Sequence, residues 1–288
     1  MKTITRSVWG SSLQTSLLLG QLPTILEHTT LNEKFNVFVD EELATTERPA
    51  MQYYCIGNGG HKNMVGADGV PYTSPLPHRA SDAALYRHLP FVLRRVDNDL
   101  TVLERSRYAL RVLLNIGGTN YWAYYLKRIS LANTAPAINH TIVDGDQKHT
   151  EPYVPNLANL NPTPPALSNT GVISSSGDYL STSSILTLIF SAEDVKELID
   201  ACRILFDNEA YAVISEIGLC SGVDRTLTVQ GPGNTQFNMK EVIACQINSF
   251  ITTHHSVAFT NKGFTQDIEL GATEPLLSDA DYVSANNG

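Results

Sequence analysis

The stretch RSRYALRVLLNIGGTNYWAYYLKRI, residues 105–129, decides the fold class. Tyr108, Leu110, Val112, Leu114 and Ile116 fall on one parity, and Arg105, Arg107, Arg111 and Asn115 fall on the other. Successive side chains of a strand point to opposite faces, so this alternation predicts a strand with one apolar and one arginine-bearing face. Gly117-Gly118 supplies two residues that accept a positive φ, as a tight hairpin turn requires, and the β-rich run Thr119–Ile129 returns alongside. The stretch predicts a hairpin.

Working outward, Met51 to Ile56 reads as a strand closed by the turn Gly57-Asn58-Gly59-Gly60, and Tyr179–Phe190 and Ala210–Cys220 read as further strands. Ser191 with Asp194 three residues on has capping-box spacing, and Val195, Leu198, Ile199, Cys202 and Leu205 make a helical stripe behind it. Ser81 is placed to cap a short helix that Pro90 interrupts. The segment 237–253 fits two templates. Met239, Val242, Ile243, Ile247, Phe250 and Ile251 share a helical face, while Ile243, Cys245, Ile247 and Ile251 share strand parity; the helix is favoured. Between Asp144 and Gly171 periodicity vanishes and five prolines recur, which predicts an extended arm or binding loop. The fold class expected is α+β and β-rich, with mixed sheets, few helices and a long Pro-rich extended arm. The division expected is an N-terminal segment 1–50, a β-rich half 51–143 with the hairpin, the arm 144–171, and an α+β half 172–288 packed with the first half as one domain.

The chain has 288 residues, 42 % hydrophobic, enough to bury a core. Only 17 % are charged, below the roughly 25 % of ordinary soluble domains, and the formal net charge is −9. That balance argues against a surface given over as a whole to nucleic acid or anionic lipid. The four cysteines form no C-x-x-C pair, so buried free thiols are expected rather than a zinc ribbon. Lys2, Arg6 and Leu17 to Leu19 imitate a signal peptide, but Gln14, Gln21 and Pro23 break the apolar run and no small-residue cleavage site follows. No stretch approaches the roughly 18 apolar residues of a membrane span.

Chemistry is sparse. The loop Gly57-Asn58-Gly59-Gly60-His61 follows a strand, but the third glycine of a dinucleotide-binding fingerprint is Lys62, so a structural turn is expected. Asp97-Asn98-Asp99 opens like a calcium loop, but Val102 and Tyr108 stand where glycine and glutamate are needed. There is no Walker, G-x-S-x-G or H-E-x-x-H sequence. Asp144, Asp146 and His149 are close enough along the chain to ligate a metal, which keeps a metal-dependent hydrolase as an alternative to a solvated turn. No catalytic residue, metal or cofactor is assigned.

Charge says more. Between Arg79 and Arg128 lie nine Lys/Arg against four Asp/Glu, while the rest of the chain holds eleven basic and twenty-five acidic residues. A solvated sheet face is one reading. Another is a head-to-tail contact between the basic face of one copy and the acidic face of the next, closing into a ring. A third is nucleic acid passing the basic face. The interface residues expected are Arg105, Arg107 and Arg111 on the hairpin, with Tyr153, Leu157, Leu160 and Pro164 anchoring the arm.

Several runs, RPAMQYYCIGNGGHKNM (48–64), DAALYRHLPFVLRR (82–95), YWAYYLKRI (121–129), NLNPTPPALSNTGV (159–172), YAVISEIGLCSGVDR (211–225) and GATEPLL (271–277), together resemble a family of tailed-bacteriophage virion proteins. These are structural proteins encoded among the head, neck and tail genes of contractile-tailed phages. The resemblance implies a virion component assembled in the host cytoplasm, with copies of itself and portal-side, neck or tail proteins as partners. A passing contact with genomic DNA is possible in that setting, and no membrane is involved. It favours a neck or connector ring (head-tail joining or collar), with tail or baseplate as the alternative position.

Overall fold

The computed structural model describes residues 3–22, 30–35, 37, 43–132, 134–162, 175–230, 236–258 and 262–277. In chain order the elements are β1 (Thr3–Arg6), α1 (Val8–Leu18), α2 (Thr30–Phe35), β2 (Ala50–Gly57), β3 (His61–Val65), β4 (Pro71–Pro75), β5 (His88–Leu89), β6 (Val92–Arg95), α3 (Val102–Arg105), β7 (Tyr108–Ile116) and β8 (Thr119–Arg128). There follow β9 (Ala137–Asp144), β10 (Gln147–Pro152), α4 (Leu157–Leu160), β11 (Ser175–Phe190), α5 (Ala192–Phe206), β12 (Val213–Gln230), β13 (Gln236–Ser256) and β14 (Phe264–Leu277). The α+β, β-rich class is as expected. The ladders with defined registers run antiparallel, so sheets here are built by hairpins and long returns.

The chain divides into two compact units. Unit 1 is Met1–Ser130 with Ile189–Thr265, and unit 2 is Leu131–Leu188 with Gln266–Gly288. The expected linear division differs from this one: the two units alternate along the chain, each built from two separate segments, and β12 and β13 belong with the N-terminal strands.

In unit 1 the main sheet runs β1-β13-β12-β2-β8-β6, with β5 on β2 and β7 on β8. The hairpin at 108–128 forms as its sequence predicts. Ile116 pairs with Thr119 across Gly117 and Gly118, whose φ values of 57° and 83° give the turn the twist of the flanking strands. The segment 237–253 is strand, not helix: it lies inside the 21-residue β13, paired with β12 from Val213–Ser256 to Gln230–Gln236. From Val242 to Thr253 every residue is buried, on both faces, so the alternation that marks a half-exposed strand is absent. No helix forms after Ser81 either; residues 81–87 are turn and bend, held by the contacts described below.

The core under the sheet takes Leu31, Phe35 and Val37, with the Phe35 and Tyr125 rings stacked at 4.3 Å. The helix α5 buries Val195, Leu198, Ala201 and Cys202, the expected stripe, and its Ser191–Asp194 capping box is complete. Asp194 has a second task. Lys127 of β8 is buried and places Nζ 2.6 Å from Asp194 Oδ2 and 2.9 Å from the Ile189 carbonyl. All four cysteines are buried free thiols, as expected, and burial pushes the Cys202 thiol up to about 12.

Unit 2 is a four-stranded sheet in the order β10-β9-β11-β14. Part of the expected arm is built into it. Residues 147–152 form β10, an edge strand whose terminal Pro152 is tolerated because no outer neighbour needs its missing N–H. Residues 157–160 are the short helix α4.

Candidate assembly surface

The expected arginine face is largely internal. Arg105 ends α3 rather than opening the strand, and its Nη2 lies 2.9 Å from Asp99 Oδ2, both side chains almost fully buried. Arg111 Nη1 reaches the same oxygen at 3.3 Å, its Nε lies 3.6 Å from Glu241 Oε1, and its guanidinium stacks 3.9 Å over Trp122. Asp99 Oδ1 accepts from the Tyr124 hydroxyl at 2.7 Å. One carboxylate thus gathers two arginines and a tyrosine inside unit 1. The expectation that Arg105 and Arg111 meet a neighbour is corrected: burying a guanidinium is costly, and Asp99, invisible to strand parity, offsets that cost within the chain. Arg107 is the exposed member of the three, 4.0 Å from Glu193.

Of the expected arm residues, Leu157 and Leu160 are exposed at 77 % and 71 %. Tyr153 lies back on its own sheet, its N–H bonded to the Ile138 carbonyl at 2.9 Å and its ring 6.4 Å from His140. Pro164 lies outside the described residues, as do residues 163–171 of the expected arm.

The element that sequence reading passed over is the two-stranded hairpin β3–β4. It pairs only with itself among the described ladders and exposes Val65 (69 %), Val70 (56 %) and Tyr72 (50 %), with Met64 and Leu76 beside them. An isolated two-stranded ribbon is marginal in water, so its base must be held. The holding group is Glu216 of β12, fully buried. Its Oε1 accepts N–H bonds from Gly59 (2.8 Å) and Arg87 (2.9 Å), and its Oε2 accepts from Tyr86 N–H (2.9 Å) and lies 2.8 Å from His78 Nε2. The His78 ring is sandwiched between Tyr86 and Phe250 at 4.1 Å each, and its Nδ1 meets Asp82 at 3.1 Å. One carboxylate therefore ties together the turn before β3 and the loop after β4.

This explains the glycine-rich turn as structural. A Cβ on Gly57 would stand 2.3 Å from the Arg87 carbonyl oxygen and 2.5 Å from Glu216 Oε1. Gly57→Ala is expected to cost at least the roughly 1–3 kcal/mol of an overpacked core site, read as a lowered melting temperature. A change below about 0.5 kcal/mol would show that the loop relaxes freely.

Around this hairpin Lys62, Arg79 and Arg87 are exposed and form no ion pair with the described residues. Unit 2 is the electrostatic opposite. It holds one lysine, Lys148, and nine Asp/Glu, a net −8, leaving unit 1 with nineteen Lys/Arg and twenty Asp/Glu. Asp144, Asp146, Glu151, Asp267, Glu269 and Glu274 are all exposed.

A family model covers residues 1–284 and is described as a family of unknown function, DUF7208. The chain belongs to this family. No curated protein and no solved structure matches it.

The residues weighed for hydrolysis sit apart. Asp144 and Asp146 flank Gly145 at the tip of the β9–β10 hairpin, while His149 pairs with Ile142 farther down and lies 3.9 Å from Glu151. Among the described residues no three His, Cys, Asp or Glu side chains are grouped to hold a metal ion. His61 packs edge-on against His254 at 5.1 Å, and burial, with the His254 charge adding to it, lowers its pKa. No helix among the described residues is long and apolar enough to cross a membrane.

Proposed function

We propose that this protein is a bacteriophage virion structural protein that assembles head-to-tail with copies of itself into a ring, acting through protein contacts. The supporting observation is the pairing, in one chain, of an apolar hairpin flanked by Lys62, Arg79 and Arg87 with a separate unit of net charge −8. Complementary patches on different parts of one chain make a heterologous contact, which closes into a ring when the rotation permits. The resemblance of the quoted runs to phage virion proteins supplies the context, with the neck or connector as the position and tail or baseplate as the alternative.

The test reads oligomeric mass by light scattering at low and high salt. The wild-type chain is expected to form a discrete ring at low salt. Lys62→Glu with Arg79→Glu and Arg87→Glu is expected to leave monomers with an unchanged melting temperature, because like charges then face each other. Adding Asp144→Lys, Asp146→Lys and Glu151→Lys to that variant is expected to restore the ring. A wild-type chain that stays monomeric at high concentration and low salt, or a triple variant that assembles normally, overturns the reading. Imaging an intact particle assigns the axial position.

A further inference from the structure

Beyond assembly, unit 1 carries a cavity of about 370 Å³ lined by Val102, Arg105, Arg128, Phe237, Met239 and Lys240, with Ser106 and Asn238 completing the wall. Three of these side chains are cationic and three are apolar. Arg105 is 4 % exposed, and its Nε and Nη1 are buried without an acceptor. Its guanidinium lies 4.2 Å over the Phe237 ring. A guanidinium presents a fork of N–H donors that matches carboxylate or phosphate oxygens, and a buried donor without a partner points to a missing acceptor.

Two of the nearby carboxylates are already committed. Asp99 serves Arg105, Arg111 and Tyr124, and Asp224 serves Arg128 and the Tyr53 hydroxyl. Glu241 Oε1 faces Arg111 Nε at 3.6 Å, outside hydrogen-bond reach, and is itself buried without a hydrogen-bond partner. Lys240 forms no ion pair with the described residues, and Asn238, whose Oδ1 accepts from Thr228, keeps its amide N–H groups to donate. What Arg105 Nε and Nη1 lack is an acceptor within hydrogen-bond reach. The apolar side chains and the aromatic ring beside the cations favour an anion with a flat, weakly polar body over a bare one, since base stacking on an aromatic ring and phosphate contact to Arg and Lys work together in nucleotide binding.

We infer that this cavity binds a phosphate group carried on a nucleobase-bearing body, a nucleoside phosphate, either free or as one unit of a flexible single strand. Its volume lies at the lower end of the range typical of small-molecule sites. The inference does not depend on ring assembly.

The test titrates the full-length protein by calorimetry with adenosine monophosphate, a short oligo-thymidylate and inorganic phosphate in parallel. Saturable binding of the nucleotide or the oligonucleotide is expected, with a Kd of roughly 10 μM to 1 mM. Tighter binding of the oligonucleotide than of the monophosphate assigns the strand as source, and the reverse assigns the free nucleotide. Because Arg105→Gln alters a buried charged group, variants at the exposed Lys240 and the half-buried Phe237 carry the decision. Lys240→Glu is expected to weaken binding of both organic probes at least tenfold with no change in melting temperature. Phe237→Leu is expected to weaken the organic probes and leave inorganic phosphate untouched. No saturable binding of any probe, binding of inorganic phosphate as tight as that of the nucleotide, or wild-type affinity in both variants overturns the inference.

Discussion

Glu216→Ala is expected to lose about 3–5 kcal/mol of stability, the range for removing one partner of a buried charged cluster. Deleting the carboxylate strands the N–H groups of Gly59, Tyr86 and Arg87 and leaves His78 Nε2 without its partner, all in the interior. Glu216→Gln keeps one acceptor oxygen but turns an NH2 group toward donors, so it should fall between alanine and wild type. Urea unfolding reads both, as a lower midpoint at unchanged slope. A loss under about 1.5 kcal/mol for alanine would mean that water replaces the carboxylate and that the hairpin base is held by packing alone. Because total stability of a domain is only about 5–15 kcal/mol, the full effect would leave the β3–β4 ribbon the first part of unit 1 to come loose.

Lys127→Met is expected to cost a similar amount, about 3–5 kcal/mol near neutral pH, because Asp194 is then buried as an unpaired charge. The pH dependence identifies the cause. Burial on its own would raise the Asp194 pKa, but the Lys127 ammonium and the Ser191 N–H and hydroxyl outweigh it and hold the carboxyl below its ordinary value. A carboxylate with a lowered folded pKa contributes stability that is fully present above the unfolded value of about 3.9 and is lost as pH falls through the folded value. In Lys127→Met the same carboxyl gains by protonation instead. The gap between variant and wild type should therefore narrow as pH falls from 7 towards 3. A gap independent of pH would assign the loss to packing of the lysine stem.

Local chemistry was legible wherever it decided structure by itself. Gly117-Gly118 between two β-rich runs, and Ser191 with Asp194, each specify a backbone conformation within a few residues, and both formed as read. Where partners distant in sequence decide, the reading failed for identifiable reasons. β13 is buried on both faces by elements packed against the sheet, α1, α2 and β7 among them, so its sequence kept apolar residues at helical and strand spacing alike. Arg105 and Arg111 looked like a solvent face because Asp99 lies in a preceding loop and Glu241 lies 130 residues beyond Arg111. The β3–β4 ribbon escaped notice because HKNMV and PYTSP carry no clean alternation, and its anchor, Glu216, sits inside a strand that otherwise reads as plain core. The Lys240 and Phe237 cavity was hidden by the same misreading of 237–253 as helix.

The first strand of the chain is also among the last to find its place. Thr3–Arg6 pairs with Ser249–Thr252, so the outer row of the main sheet in unit 1 cannot be laid down until the chain has been made as far as Thr252, about 250 residues later. At synthesis rates of about 5–20 residues per second, that is a delay of roughly 12–50 s during which β13 is either absent or open along one edge. Meanwhile β12 and β13, contiguous in sequence, can zip together as a local event. The expected order of assembly therefore runs from the long hairpin inward to β2 and only then outward to the N-terminal strand, making β1 a late clasp on a sheet already formed.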